Sequence, residues 1–366
     1  MVRHWNTDPE IITPEITDPE TAMPVRPALS RRLGVLALAV FAAVPASAQE
    51  VTLTLHQFLP RQSAVPAHIL DAWIANVEEA SDGRIAVNHF PSMQLGGTPP
   101  ELIDQAIDGV ADIIWTVVGY TPGRFPRTEV FELPFFVDDA EAASHAFWQM
   151  HERHMAGADF AEVEVLGTWV HGPGVIHTDV PVETPGDLRG LRIRGGSRLV
   201  NQMLTAVGAE SIGMPVPAIP EALSRGVLDG ATIPWEVTTA LRTSELVEHH
   251  TEFADASLYT LTFVMAMNRD RYDSLPDDLR AVIDAQSGAD FSTFAGRTQA
   301  SYDAPGRAIA VERGNSIVTV TDIAPWEALA RPVYDAWVAD MAERGIDGQA
   351  LIDEARALME RYSPAD

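Results

Sequence analysis

A short pattern that occurs twice constrains the fold of this 366-residue chain more than any other feature. Each copy is a helical stretch, then Gly-Val-x-Asp, then an apolar run; the four residues are GVAD at 109–112 and GVLD at 226–229. Glycine suits the left-handed backbone at the end of many helices, so one copy would be an ordinary helix-to-strand turn. Two distant copies predict two lobes built on the same plan, although so short a match can also recur by chance.

The sequence around these copies alternates strand and helix patterns. Residues 51–58 (VTLTLHQF) alternate as in a strand, and apolar residues recur every three or four positions from 65 to 77, as on an amphipathic helix. The run at 111–118 (ADIIWTVV) resembles a strand buried on both faces. This alternation predicts an α/β fold with mostly parallel sheets. The C-terminal third is mainly helical, and residues 277–302 form one long helical pattern.

The N-terminal segment resembles a secretory leader. Within residues 1–48, Arg26, Arg31 and Arg32 precede an apolar run at 33–44, and an Ala-Ser-Ala cleavage pattern ends at Ala48. We expect a mature chain that begins at about Gln49, with Met23 as a possible true start. Subtracting the 48 leader residues leaves 318, more than a single hydrophobic core usually supports, which again predicts two lobes.

Composition excludes several classes of function. The formal net charge of −27 argues against binding to nucleic acid or an anionic membrane. The absence of cysteine excludes disulfides, thiol catalysis and cysteine-ligated zinc, and suits an exported protein of the bacterial periplasm. HERH at 151–154 lacks the spacing of a zinc protease motif, and no nucleophile, base and orienting group come together. We therefore expect no enzyme activity, no cofactor and no metal.

Three arginines lie close together in the segment DLRGLRIRG at 187–195. On a strand, Leu191 and Ile193 face one side, and Arg192 and Arg194 face the other. Two glycines follow and a helical pattern begins, so Arg194 stands at the C-terminal end of a strand, where α/β sheets bind ligands. Arginine is suited to bidentate capture of a carboxylate. The alternative is an ordinary strand-edge arginine paired with a surface acid.

Aromatic residues follow the ends of other predicted strands. Trp115 and Tyr120 follow one strand, His171 follows a second and Trp235 a third. Small-ligand pockets are mostly apolar with a few fixed polar groups, so the pattern favours a lined cleft. Core packing is the alternative for any single tryptophan.

Four segments, taken in order over essentially the whole mature chain, carry a family resemblance: GRIAVNHFPSMQLGG, GVADIIWTVVGYTPGRFPRTEVFELPFF, TPGDLRGLRIRGG and PEALSRGVLDGATIPWEV. Together they resemble the DctP-type substrate-binding proteins of TRAP (tripartite ATP-independent periplasmic) transporters. The resemblance implies a monomeric, two-lobed "Venus flytrap" without catalytic activity. It would close on an organic anion in the periplasm and deliver it to a permease of one small and one large subunit. A binding protein of another transporter class is the alternative.

The resemblance also assigns roles to individual residues. The arginine that ends the strand, Arg194, would form the salt bridge to the substrate carboxylate, and Arg192 would be secondary. Related proteins commonly carry a second arginine about 20 residues earlier, where this chain has Gly174. They often carry asparagine before the proline at 234, where this chain has Ile233. Loss of one cation and one amide favours an aromatic or otherwise apolar monocarboxylate, with a branched aliphatic acid next.

A hydroxy, keto or sugar acid stays open, because His171 or His177 could replace the missing arginine as a donor. Glu236 could likewise bind a ligand hydroxyl or be an ordinary acid in the first turn of a helix. We expect lobe I to comprise 49–171 plus 260–297, and lobe II 172–259 plus 298–366. The predicted binding residues are Arg194, Trp235, Trp115, Tyr120, Ile233, His171, Phe58 and Glu236.

Overall fold

The computed structural model describes residues 49–362; the predicted signal peptide lies outside these residues. Within them, none of the helices combines the length and apolar character needed to cross a bilayer. The strands are β1 (Val51–His56), β2 (Ile85–Phe90), β3 (Ile113–Val117), β4 (Val163–Val170), β5 (Gly174–Thr178), β6 (Arg192–Gly195), β7 (Glu210–Gly213), β8 (Gly230–Pro234), β9 (His249–Phe253), β10 (Thr262–Asn268) and β11 (Ser316–Val320). The helices are α1 (Asp71–Ala80), α2 (Leu102–Ile107), α3 (Ala140–Met150), α4 (Arg198–Ala206), α5 (Ile219–Ser224), α6 (Trp235–Leu241), α7 (Arg269–Asp273), α8 (Asp277–Ala285), α9 (Ala289–Ser301), α10 (Asp303–Glu312), α11 (Ala324–Glu343) and α12 (Gly348–Arg361).

The strands form two sheets, which confirms the two-lobed α/β fold. The first has the order β2-β1-β3-β10-β4, and the second has the order β11-β9-β5-β8-β6-β7. In the first sheet only β10 runs against the other strands, and in the second only β5 does. Each reversed strand is the first one after the chain crosses between the sheets. It starts at the edge where the other strands end, so it runs the opposite way.

The repeated cassette occupies equivalent positions in the two sheets. Gly109 and Gly226 take positive φ angles of 70° and 64°, which glycine adopts without strain. The following aspartates accept a backbone N–H from the neighbouring parallel strand, Thr54 N to Asp112 Oδ2 and Arg192 N to Asp229 Oδ2, both at 2.8 Å. The same local chemistry therefore ties a helix end to a strand start in each lobe.

Three connections join the sheets: residues 171–173, residues 254–261 and the junction of α9 with α10 at Tyr302. Helix α9 packs on β4 and α3, whereas α10 packs on α6 and β11. Helix α11 packs on α4, and α12 then packs on α3, beside the first sheet. The lobe boundaries stay a proposal, and these contacts associate α12 with the first sheet although it falls in the predicted lobe II.

The main hydrophobic core runs through both lobes, and around the first sheet α3 and α9 pack on each other and on β4. It buries Trp73, Phe131, Phe147 and Phe291 almost completely. A rigid core of this kind holds the C-terminal strand ends in fixed positions, and these ends form one wall of the cleft between the lobes.

Candidate ligand-binding site

Arg194 is a fully buried cation at the end of β6. Its Nε donates to Met214 O at 2.8 Å and its Nη1 donates to Thr232 O at 3.0 Å. Its Nη2 has no hydrogen-bond partner among residues 49–362. A buried charge with an unsatisfied donor is costly unless an anion completes it. The guanidinium is therefore held by two carbonyls and directs its remaining N–H groups at a place for an anion.

Arg192 lies two residues earlier on the same strand and has a different environment. Its side chain is 40% exposed and pairs with Asp229 at 2.6 Å. This hydrogen bond lowers the pKa of Asp229. Arg192 is thus paired with the aspartate of the second cassette.

The first lobe contributes an aromatic wall. Phe58 stacks on Trp115 with ring centroids 4.7 Å apart, and it meets Tyr120 edge-on at 5.7 Å. Phe263 stacks on the Trp115 ring at 5.6 Å. All four side chains are buried, yet Trp115 Nε1 has no partner in the described chain. An indole N–H left unpaired inside an aromatic wall is a donor that a polar ligand substituent can use.

Tyr120 connects this wall to the second lobe. Its hydroxyl oxygen accepts the backbone N–H of Val216 at 2.9 Å, which leaves the hydroxyl proton free to donate. Burial raises the pKa of Tyr120, and the charge of Arg194 opposes that rise. Tyr120 therefore lies within electrostatic range of Arg194 and closes the space between the lobes.

His171 packs beside the same space, but both of its ring nitrogens are engaged. Nε2 accepts the backbone N–H of Leu261 at 3.0 Å, so Nδ1 carries the proton and donates to Gly172 O at 2.5 Å. Burial lowers the pKa of His171 to about 4, so the ring is neutral near pH 7. This corrects the expectation that His171 could replace a missing arginine, because it has no donor left for a ligand.

The predicted residues Trp235 and His177 make contacts of their own, whereas Ile233 is a buried residue of β8 directly after Thr232, whose carbonyl accepts from Arg194. Trp235 packs with Val175 and Ala310, and its Nε1 donates to Glu252 at 3.2 Å. His177 Nε2 lies 3.1 Å from Ile233 O, and its Nδ1 lies 2.7 Å from a ring nitrogen of His250. Trp235 starts α6, and its ring turns to the face that α10 covers. The predicted apolar wall therefore loses Trp235, and His177 is not available as a donor.

Glu236 reaches the aromatic wall only indirectly. Its carboxyl accepts from Gln299 Nε2 at 3.1 Å, and Gln299 Oε1 accepts the indole N–H of Trp169 at 2.9 Å. The Trp169 ring is parallel to that of Trp115, 6.2 Å away. Burial raises the pKa of Glu236 to about 8, so the group is neutral at pH 7. Glu236 supports the wall from behind, at the junction of the lobes.

Two members of the group were not predicted from the sequence. Tyr259 lies in the second crossing between the sheets, is 1% exposed and meets His171 edge-on at 5.5 Å, and Phe263 lies at the start of β10. The segment LYTLTF at 258–263 reads as an ordinary strand, so it gave no signal of a site. Only the topology brings these rings to the cleft.

The two lobes are closed on each other. Arg198, in the first turn of α4, forms an ion pair with Glu129 of the first lobe through two hydrogen bonds. A separate groove of about 650 Å³ lies between α4 and α11, bordered by Pro122 and Val333. The Arg194 group is enclosed, and the groove is a distinct surface feature.

The sequence matches a family model, DctP, bacterial extracellular solute-binding protein family 7, over residues 58–340. The chain belongs to this family. DctP-family proteins are periplasmic transport receptors rather than enzymes; they bind small organic acids and work with membrane permease components. Within the described residues, no group of three His, Asp or Glu side chains could hold a metal ion.

Three solved DctP-type structures are similar to this chain. One is a TRAP solute-binding protein from Rhodoferax ferrireducens T118 in complex with copurified benzoate; it shares 47% identity and a TM-score of 0.83, over 85% of this chain and 98% of that chain. A marine metagenome TRAP protein specific for aromatic acid ligands, in complex with metahydroxyphenylacetate, shares 39% identity and a TM-score of 0.84, over 86% and 100%. A Bordetella bronchiseptica protein with bound (R)- and (S)-mandelate shares 32% identity and a TM-score of 0.79, over 85% and 99%.

Proposed function

We propose that this protein is the receptor that captures an aromatic monocarboxylate for a TRAP permease of one small and one large subunit. The observation that carries the proposal is the unpartnered Nη2 of buried Arg194, which interacts with Tyr120, an aromatic residue that meets Phe58 edge-on beside Trp115. One cation with one free donor position suits one carboxylate, because a charge-assisted bond in an enclosed site is strong and directional.

The apolar body of the ligand would lie against the aromatic wall. Aromatic rings prefer offset-stacked or edge-to-face contacts, which add about 0.5–1.5 kcal/mol beyond the area they bury. A benzene ring linked to a carboxylate satisfies both parts of the site at once. A small aliphatic acid would satisfy Arg194 but leave the wall uncovered.

The similar structures support this ligand class. The Rhodoferax protein holds benzoate, the metagenome protein is specific for aromatic acids, and the Bordetella protein holds mandelate. A hydroxy or keto aromatic acid is the second candidate, because the unpartnered Trp115 Nε1 could donate to a ring substituent. The alternative of a sugar acid has less support, since the wall offers few polar groups.

We further propose that the chain acts as a monomer in the periplasm after loss of a leader within residues 1–48. Family membership supports this location. No nucleic-acid partner is proposed, in keeping with the net charge of −27.

A thermal-shift screen followed by calorimetry tests the proposed ligand class. The probes are benzoate, 3-hydroxybenzoate, mandelate, isobutyrate, succinate and glucuronate. A ligand at 100 times its dissociation constant adds about 2.7 kcal/mol to stability. We expect the aromatic monocarboxylates to raise the unfolding temperature most, and a stronger response to succinate or glucuronate would overturn the proposal.

A further inference from the structure

Tyr259 is anchored at the second crossing between the lobes. Its carbonyl oxygen accepts the backbone N–H of Gly174 at 3.1 Å and the hydroxyl of Ser257 at 2.9 Å. The side chain is 1% exposed. The backbone of this crossing therefore fixes where the ring lies, directly over the start of β5.

The Tyr259 ring can take this position only because residue 174 has no side chain. A Cβ added to Gly174 would overlap the Tyr259 ring, with Cζ only 2.8 Å away. Gly174 and Tyr259 are thus a matched pair, in which the tyrosine ring fills the space of the missing side chain. Position 174 is also where the sequence resemblance leads one to look for a second arginine.

The hydroxyl of Tyr259 is a hydrogen-bond donor that lacks a well-placed acceptor in the described chain. It is buried and meets no acceptor among residues 49–362 with good hydrogen-bond geometry, although the Thr232 side chain is close enough to lower its pKa. Burial raises the pKa of Tyr259 to about 12, opposed by the Arg194 charge and the nearby Thr232, so the hydroxyl stays protonated within range of the guanidinium. Arg194 Nη2 and Tyr259 Oη are therefore two buried donors within electrostatic range of each other.

We propose that Tyr259 is a specificity-determining residue, whose hydroxyl donates to the same carboxylate that Arg194 binds. Its ring occupies the volume over Gly174 that a second cation would need, so the site accepts one carboxylate and not two. This inference rests on the proposed function and adds a second carboxylate donor to it.

A structural role would predict different behaviour. An unpaired buried hydroxyl contributes nothing to the fold and carries a desolvation cost, so removing it from the unliganded protein should be neutral or stabilising. Removing it from the complex should cost a hydrogen bond to a charged acceptor. The two effects have opposite signs, which makes the role of the hydroxyl testable.

The test is Tyr259→Phe, which keeps the ring over Gly174 and removes only the hydroxyl. Calorimetry with benzoate and with mandelate should show affinity lower by about 10-fold for both, in line with a hydrogen bond to a charged group. The unfolding temperature without ligand should be unchanged or higher. The matched control is Tyr334→Phe, which loses a hydroxyl that donates to Pro134 O at 2.7 Å, outside the Arg194 group; its benzoate affinity should equal that of the wild type.

Three outcomes decide the inference. Wild-type affinity for benzoate in Tyr259→Phe overturns it and leaves the proposed function intact. Phthalate, which carries two adjacent carboxylates, should bind the wild type at least about 10-fold more weakly than benzoate, because Arg194 is the only buried arginine among residues 49–362; equal affinity overturns the single-carboxylate claim. Failure of the wild type to bind any aromatic monocarboxylate overturns the proposed function itself.

Discussion

Two buried polar clusters in this protein look alike in the sequence and differ in the structure. Both combine aromatic rings with titratable side chains close to strand ends. Around Trp235, the indole N–H bonds Glu252, and the ring nitrogens of His177 and His250 bond each other and Ile233 O or Asn315. Around Arg194, by contrast, the guanidinium, Tyr259 and Trp115 each keep a polar atom without a partner in the described chain.

The difference shows which property marks a binding site. Aromatic residues near strand ends are common to both clusters, so they do not separate core from cleft. A satisfied polar network is complete without a ligand and stabilises the fold. Buried donors that converge without acceptors are complete only when an anion arrives. We therefore propose that the ligand binds at the cluster around Arg194. Variants of this cluster and of the cluster around Trp235 should behave differently.

The largest effect is expected from Arg194→Gln. Truncating one partner of a buried charge pair costs several kcal/mol, so benzoate affinity should fall at least 100-fold, or about 2.7 kcal/mol. Calorimetry measures the change. The matched control on the same strand is Arg192→Gln, whose partner is Asp229 and whose affinity should stay within about twofold of the wild type. Equal losses of benzoate affinity in Arg194→Gln and Arg192→Gln would show that any change on this strand weakens binding. That result would contradict the role of Arg194 as the carboxylate-binding residue.

A smaller effect is expected from the aromatic wall. Phe58→Leu removes the ring that stacks on Trp115 at 4.7 Å and should weaken benzoate about 3- to 10-fold, the size of an aromatic pair contribution. Trp235→Phe removes the hydrogen bond to Glu252 and should lower the unfolding temperature without changing affinity. Thermal unfolding and calorimetry on both variants give the two readouts. Weaker benzoate binding by Trp235→Phe than by the wild type would show that Trp235 belongs to the binding site.

The smallest effect is a pH dependence in the satisfied cluster. Burial, followed by the neighbouring His249 charge, lowers the pKa of His250 to about 4. Because the folded pKa lies below the unfolded value of about 6.5, the stabilising contribution of neutral His250 is complete above that pH and is lost as the pH falls towards 4. His250→Gln should therefore unfold about 2–3 °C below the wild type at pH 7.

The difference in unfolding temperature between His250→Gln and the wild type should narrow as the pH falls from 7 to 5. Thermal unfolding measured at intervals of half a pH unit checks this. Benzoate affinity at pH 7 should match the wild type and serves as the internal control. A difference that stays constant over this pH range would contradict the assignment of a neutral, buried histidine.

The sequence was sufficient to predict the large-scale architecture, because local residue patterns specify the helices and strands that build it. The two cassettes predicted two equivalent lobes, and Arg194 is the last residue of β6 with a side chain, since the strand ends at Gly195. Local patterns were less reliable where one glycine decides the geometry. The long helical pattern at 277–302 is two helices, α8 and α9, because Gly288 takes a φ of 88° between them.

The sequence predicts the place of Arg194 on its strand, for a physical reason. A strand that ends at the cleft carries its last side chain into it, so the position of Arg194 followed from local sequence. The roles of Trp235 and Tyr259 depend on contacts between segments far apart in the chain, and composition and periodicity do not record these. Tyr259 reaches the site only because Gly174, 85 positions earlier, leaves room for its ring.

A crystal structure of the protein with benzoate tests the central claim most directly. We expect a carboxylate oxygen about 2.7–3.2 Å from Arg194 Nη2 and the benzoate ring against Phe58 and Trp115. The second carboxylate contact should come from the hydroxyl of Tyr259. Benzoate bound beside Trp235, or in the groove between α4 and α11, would contradict the claim that unsatisfied buried donors locate the ligand.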